Sequence, residues 1–190
     1  MALYNDYRVG YRLWQVLAND SPVLIGPRSS IVWWPAKNAT GYRMVCLLGK
    51  HDAPHLACRC GFYARRYPIC TEIGTISGAV ALGGIVVERE DELRGQTARI
   101  LGLVRPPCVW CGAPADALWF PPQDGDPIGF ARWFYQNGAP IGFECCRYHA
   151  DLYLSRGYRQ ASLEDLAAAY GVPLLETADA LVSLVRALRA

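Results

Sequence analysis

Cys108-Val-Trp-Cys111 and, further along, Cys146-Arg-Tyr-His149 are two pairs of soft ligands, each with its members three positions apart. A Cys-x2-Cys turn lets two thiolates meet one ion while nearby backbone N–H groups steady their charge. Gly112, just after it, lets the chain turn sharply. Cys146 and His149 fall at a predicted helix start, where residues i and i+3 share a face and both point at one metal. Four such donors close the tetrahedron that Zn2+ takes in structural sites. Cys145 competes for the third place, because Cys145-x3-His149 is also a helical pair. Cys146 is favoured, since a strand ending at Glu144-Cys145 turns Cys145 toward the core. Upstream, Cys46-x4-His51-x6-Cys58-x-Cys60 is a second, less regular set. There His55 is an alternative to His51, and Cys70 an alternative to Cys46. The two sets use all but two of the eight cysteines, leaving Cys70 and Cys145.

Catalytic chemistry finds fewer residues. A metal-dependent nuclease of the HNH type needs a histidine base and an open metal position. The chain has three histidines. With His51 and His149 as ligands, only His55 is left, and a closed four-ligand site has no place for a catalytic water. No histidine is free to activate Cys70 as a nucleophile. Gly74 to Gly84 lacks the Lys-Ser/Thr ending of a phosphate loop. Glu88, Glu90, Asp91 and Glu92 read as a solvated strand end. Two stretches interleave arginine with aromatics. Arg59, Arg65 and Arg66 alternate with Phe62, Tyr63 and Tyr67. Arg147, Arg156 and Arg159 lie among Tyr148, Tyr153 and Tyr158. This mixture suits phosphate contact with base stacking, and Arg59, Arg65, Arg66, Arg147 and Tyr63 are the candidate contacts for a nucleic acid or another partner. The plainer alternative is surface arginine over buried tyrosine.

The elements that must hold these residues follow from patterning. The chain has 190 residues, 52% hydrophobic and 19% charged, with a net charge of +2. That composition buries a core and carries little of the basic excess of a dedicated nucleic-acid binder. No apolar run is long enough to cross a membrane, and the N-terminus lacks the pattern of a signal peptide. A cytoplasmic chain is expected, in which paired cysteines read as metal ligands before disulfides. Tyr7–Leu17, Ile31–Trp34, Tyr42–Leu48, Gly78–Glu90 and Thr97–Val104 read as strands, with a bulge or close backbone approach at Gly83-Gly84. Ile128–Tyr135 and Ala139–Glu144 read as a hairpin about Gln136-Asn137-Gly138. Ser162 caps a helix that reaches Tyr170 and stops at Gly171, with Asp165 at the capping-box position. A last helix, about Glu176–Arg189, lines Leu181, Leu184, Val185 and Leu188 on one face. The expected fold is α+β: a small mostly-β unit over 1–105, a zinc module over 106–158 and a C-terminal helical pair over 159–190. The apolar face of the last helix is the expected surface for a protein partner or a homodimer. A DNA-reading helix-turn-helix over Ser162–Leu181 is disfavoured, because its second helix is rich in Leu and Ala.

Two resemblances add to this. Knuckle, hairpin, then two ligands on a helix start resembles the treble-clef class of zinc finger, over roughly Pro106–Arg156. His51-Asp-Ala-Pro-His-Leu-Ala-Cys58-Arg-Cys60-Gly-Phe-Tyr-Ala64 resembles a motif of uncharacterised actinobacterial and actinophage proteins, H-x-A-P-x3-C-x-C-G-[IF]-Y-A. Those proteins are also similar at Val45-Cys46-Leu47, at Tyr11–Val16, at Tyr170–Pro173 and at Leu82–Glu90, where Gly83 replaces their tryptophan. That resemblance implies His51, not His55, as the ligand, and it implies no activity. The expectation is a non-enzymatic zinc-binding module for protein or nucleic-acid interaction, with zinc at the second cluster and at the first as well if it binds. The alternative is an HNH-like nuclease.

Overall fold

The computed structural model describes residues 7–17, 22–26, 31–46, 51–69, 72, 74–122, 135–136, 139–140 and 142–189. In chain order the strands begin with β1 (Arg8–Leu17), β2 (Val23–Ile25) and β3 (Val32–Trp33). A short helix α1 (Pro35–Asn38) and β4 (Tyr42–Arg43) follow, then β5 (Phe62–Arg65), β6 (Ile76–Glu88) and β7 (Glu92–Val104). The second half holds β8 (Ala117–Phe120), β9 (Tyr135–Gln136), β10 (Ala139–Pro140) and β11 (Phe143–Cys145). A 3-10 turn over Arg147–His149 leads into α2 (Ala150–Leu154), β12 (Arg159–Ser162), α3 (Leu163–Tyr170), β13 (Leu174–Leu175) and α4 (Ala178–Arg189). The fold is mixed α+β and mostly sheet.

β6 and β7, thirteen residues each, form a long antiparallel hairpin. β1 pairs with the free side of β6, and β5 pairs with the start of β7. β1 and β5 also meet, at Tyr11 and Arg65, so the pairing β1–β6–β7–β5 closes on itself. The hairpin register slips between Gly83 and Val86, where the sequence carries Gly83-Gly84. It slips again between Ala79 and Val80, beside Gly78. A Cβ added to Gly78 would stand 2.3 Å from the Gly102 carbonyl oxygen and 3.1 Å from the Trp14 ring. Gly78→Ala is expected to destabilise the chain by about 2 kcal/mol, the usual cost of overpacking. A denaturant titration measures it, and an unchanged midpoint would refute this close approach.

The two faces of this sheet bury different helices. Trp14, Trp33, Val80, Leu82, Ile100 and Leu103 build the main core, into which α3 inserts Leu163, Leu166, Ala167 and Tyr170. On the opposite face Val9, Tyr11, Ala79 and Val104 receive Leu181 and Val185 of α4, with Leu184 and Leu188 alongside. The expected C-terminal helical pair is therefore corrected: α3 and α4 pack on opposite faces, linked by β13, which adds in parallel to Leu103 and Val104. The expected partner or homodimer surface on the Leu181–Leu188 face is corrected too. That face covers its own sheet, because alternate residues of β1, β6 and β7 leave apolar side chains there that need a cover. Ser162 caps α3, its hydroxyl oxygen accepting from the Asp165 N–H at 3.0 Å, and Gly171 ends the helix.

A smaller sheet, β11–β8–β12, carries the second cluster. Its side chains Trp119, Phe143 and Cys145, with Tyr153 of α2 and Tyr158 before β12, form a separate core. Arg105 ties this part to the rest. Its guanidinium donates to the Ala115 carbonyl at 3.0 Å and to the Glu176 carboxylate at 2.9 Å, and also meets Glu164. The segment 159–190 thus contributes to both sheets: β12 extends the small one and β13 the large one. The predicted strand Tyr42–Leu48 is shorter than expected. Only Tyr42–Arg43 pairs as β4, Val45 bridges to Asp52, and 47–50 lie outside the described residues. Of the predicted hairpin, 135–136 pairs with 139–140, and most of Ile128–Tyr135 lies outside the described residues.

Candidate metal centres

The second centre is built from two turns. Cys108 opens the first, where its N–H donates to the Ala113 carbonyl at 2.6 Å and its carbonyl accepts from the Gly112 N–H at 3.0 Å. Gly112 has φ +72°, a left-handed conformation that a Cβ would strain. The second turn begins as β11 leaves the small sheet. There the Asp116 carboxylate accepts the Arg147 N–H at 2.7 Å, while the His149 N–H donates to the Cys146 carbonyl at 3.1 Å. Strand alternation separates the two adjacent cysteines. Cys145 packs with Trp119, Phe143 and Tyr153, and its thiol donates to the Cys146 carbonyl at 3.4 Å. Cys146 joins the cluster.

The four donors converge. Cys111 Sγ lies 3.6 Å from Cys146 Sγ, and His149 Nδ1 lies 3.3 Å from Cys146 Sγ and 3.7 Å from Cys108 Sγ. In a tetrahedral zinc site the metal–sulfur distance of about 2.3 Å and metal–nitrogen distance of about 2.0 Å set edges of about 3.8 Å between sulfurs and about 3.5 Å between sulfur and nitrogen. The observed spacings are those edges. They also exceed a disulfide bond by far, and these cysteines are free thiols.

Electrostatics distinguish the sulfurs. Burial pushes the Cys108 thiol up, but the N–H groups of Cys146, Trp110 and Cys111 outweigh it and bring it down to about 6. Burial pushes Cys145 up to about 12, aided by the neighbouring thiols. Cys146 is raised by burial and by Cys111 and Cys108 beside it. Thiolates crowded this closely repel one another, and a divalent cation at their centre relieves the repulsion. Trp110 Nε1 donates to the Tyr153 hydroxyl, which fixes the knuckle against α2.

The first centre gathers Cys46, His51, Cys58 and Cys60, whose ligand atoms all lie within 4.8 Å of one another. Cys46 Sγ is 3.8 Å from Cys58 Sγ, again a tetrahedral edge. His51 Nδ1 lies 2.9 Å from the Asp52 carbonyl. A ring N–H held by a carbonyl leaves Nε2 for the metal, the usual support of a ligating histidine. The Cys60 N–H reaches the Cys58 sulfur and, with the Cys60 thiol, brings Cys58 down to about 7. His55 stands outside the set. Its Nδ1 accepts the Ala57 N–H at 3.2 Å, and its ring lies 4.6 Å from that of His51. Cys70 lies outside the described residues. His51→Ala is therefore expected to lower bound zinc by one per chain and His55→Ala to leave it unchanged, as read by elemental analysis. Loss of metal in the His55 variant would reverse the assignment.

The partner candidates sit differently. Arg65 pairs with Asp91, and Arg66 pairs with Glu88 and donates to the Arg89 carbonyl at 3.0 Å. Tyr63 donates its hydroxyl to the Arg59 carbonyl, and Arg59 itself is exposed. Arg147 stacks over Tyr148, 5.4 Å from the ring centroid. Three supporting residues escape a reading of the sequence. Buried Arg94 lies beneath the first loop, donating to the Cys58 carbonyl with its guanidinium 5.8 Å from the Tyr63 ring. In sequence, Arg94 only follows the acidic stretch Glu88, Glu90, Asp91 and Glu92 that reads as a solvated strand end. Asp116 holds the second turn, and buried Glu144 accepts the Gly74 N–H at 3.0 Å. The one usable signal was for Asp116: a turn starting at Cys146 needs an acceptor for its first N–H groups.

Compared with known proteins, no family model, no curated protein and no solved structure matches this chain. Among the described residues no helix is long and apolar enough to cross a membrane.

Proposed function

We propose that this chain is a non-enzymatic zinc protein with two structural sites, the second housed in a treble-clef-like module, that acts as a cytoplasmic interaction module. The observation that carries this reading is the convergence of Cys108, Cys111, Cys146 and His149 at tetrahedral-edge spacing. The order of elements supports the treble-clef assignment: a knuckle at Cys108–Cys111, the strands of the small sheet, then Cys146 and His149 where the turn enters α2. The histidines support a non-enzymatic role. Two belong to the four-ligand sets, and the third, His55, caps its own loop. Kinship with the actinobacterial and actinophage proteins remains part of the proposal, because the shared His-x-Ala-Pro motif and its cysteines form the first centre.

When bound, zinc supplies a fixed centre that neutralises the thiolates and joins two turns otherwise held by few hydrogen bonds. The protein's own groups prepare this: backbone N–H groups support Cys108 and Cys58, and the Asp52 carbonyl orients His51. Elemental analysis of purified protein is expected to give two zinc ions per chain. One ion would remove the first centre from the proposal, and none would overturn it. Protons compete with metal for thiolates and imidazole. Acidification below the histidine range is therefore expected to release zinc, a chromophoric chelator reporting it, and return to neutral pH with zinc restores the metal.

A further inference from the structure

The structure treats the two arginine–aromatic surfaces in opposite ways. At the first, Asp91 and Glu88 neutralise Arg65 and Arg66, and Tyr63 has its hydroxyl and ring engaged by Arg59 and Arg94. At the second, the metal-bearing turns push large rings outward. Cys146 Sγ and His149 Nδ1 meet at 3.3 Å within the cluster, while Tyr148 between them is 79% exposed. Trp110, between Cys108 and Cys111, is 49% exposed. The Arg147 guanidinium lies against Tyr148. Arg156 is exposed just after α2, where its backbone N–H donates at 3.0 Å to the carbonyl of Tyr153, the residue whose hydroxyl receives Trp110 Nε1. Among the described residues no carboxylate comes within 4.0 Å of the Arg147 or Arg156 guanidinium. Of the nearby acids, Asp116 receives the Arg147 backbone N–H, and Asp151 is exposed on α2.

We infer that Trp110, Tyr148, Arg147 and Arg156 form a binding surface for single-stranded nucleic acid, bases stacking on the two rings and phosphates meeting the two guanidinium groups. The inference rests on the zinc reading above, because the metal orders both turns. Exposed aromatic faces beside uncompensated arginine match the π-faces and phosphates of an unpaired strand. Duplex recognition fits less well, since α2 has five residues, too few to lie along a groove.

The test uses zinc-loaded full-length protein and fluorescence anisotropy with labelled oligo-dT and oligo-rU of about 15 nucleotides, the span of one such surface, beside a duplex of equal length. Single strands are expected to bind, and the two probes decide between DNA and RNA. Tyr148→Ala and Trp110→Ala each weaken binding about 10-fold, while Tyr148→Phe, which keeps the ring, binds as the parent. Arg147→Ala with Arg156→Ala lowers the slope of log affinity on log salt by about 1–2, and Arg186→Ala on α4 does not. Duplex binding as tight as single-strand binding, or an unaltered Tyr148→Ala, overturns the inference. Zinc is measured on the same samples. Two zinc ions with no oligonucleotide binding overturn this surface alone and leave a protein partner for the module. No zinc overturns the metal reading and this surface with it.

Discussion

Cys146→Ala is expected to remove one zinc per chain and unfold the small sheet and its turns, while Cys145→Ala keeps both ions. The residues are neighbours and both are buried, so composition does not separate them; strand direction does. Cys146 Sγ stands 3.3 Å from His149 Nδ1 and 3.6 Å from Cys111 Sγ. Cys145 lies among Trp119, Phe143 and Tyr153, where burial holds it as a neutral thiol. Structural zinc contributes roughly 10 kcal/mol or more of apparent folding free energy in small metal domains. Losing one ligand forfeits most of that for the module, because Cys108 and Cys146 also belong to its core. Removing the Cys145 sulfur deletes one buried atom and costs about 1 kcal/mol. Elemental analysis and near-ultraviolet circular dichroism, which reports Trp119 and its packed tyrosines, separate the two variants. Two zinc ions in Cys146→Ala, or one in Cys145→Ala, would exchange their roles.

Asn38→Ala is expected to cost about 3 kcal/mol, the sum of several buried polar groups left without partners. Asn38 is buried at the end of α1, and its amide makes three bonds. Oδ1 accepts the Ile100 N–H at 2.8 Å, and Nδ2 donates to the Ile100 carbonyl at 3.2 Å and to the Tyr170 carbonyl at 2.8 Å. It therefore joins α1 to β7 and to the end of α3. The Tyr170 hydroxyl continues the network, donating to the Trp33 carbonyl and accepting the Leu24 N–H at 2.8 Å. Alanine would leave a buried donor and two buried acceptors without these partners. For a chain of this size the loss lowers Tm by about 6–12 °C. Zinc content should stay at its parent value, because neither cluster touches Asn38. A Tm within about 1 °C of the parent would mean the amide is not satisfied as described.

The grouping of Cys108 with Cys111 and of Cys146 with His149 was legible because the spacing within each pair is local. Cys-x2-Cys and Cys-x2-His fix pairs of donors within one turn whatever the rest of the chain does. Strand alternation then selected Cys146 over Cys145, as β11 has it. The Ser162 cap, the Gly171 stop and the Gly83-Gly84 bulge were legible for the same reason, since each depends on a few consecutive residues. Arg94 was not: no local pattern marks it, and it is buried where its guanidinium meets the Cys58 carbonyl, 36 positions away. Asn38 carried no signal, because its partners lie 62 and 132 positions away. The same limit applied to the Leu181–Leu188 face. Amphipathic spacing established that the face must be covered but could not say by what.

The sequence by itself marked two sets of four cysteine and histidine residues that could share a metal ion. The tertiary structure alone decided which charges remain available. It brought Asp91 and Glu88 to Arg65 and Arg66, and it left Arg147 against the exposed ring of Tyr148. It also turned the last helix inward onto the sheet. Charge neutralisation and apolar cover act between residues far apart in the chain, through distances that closing the β1–β6–β7–β5 ring fixes. Spacing along the chain encodes which residues can share an ion; the packed fold decides what their surroundings can meet.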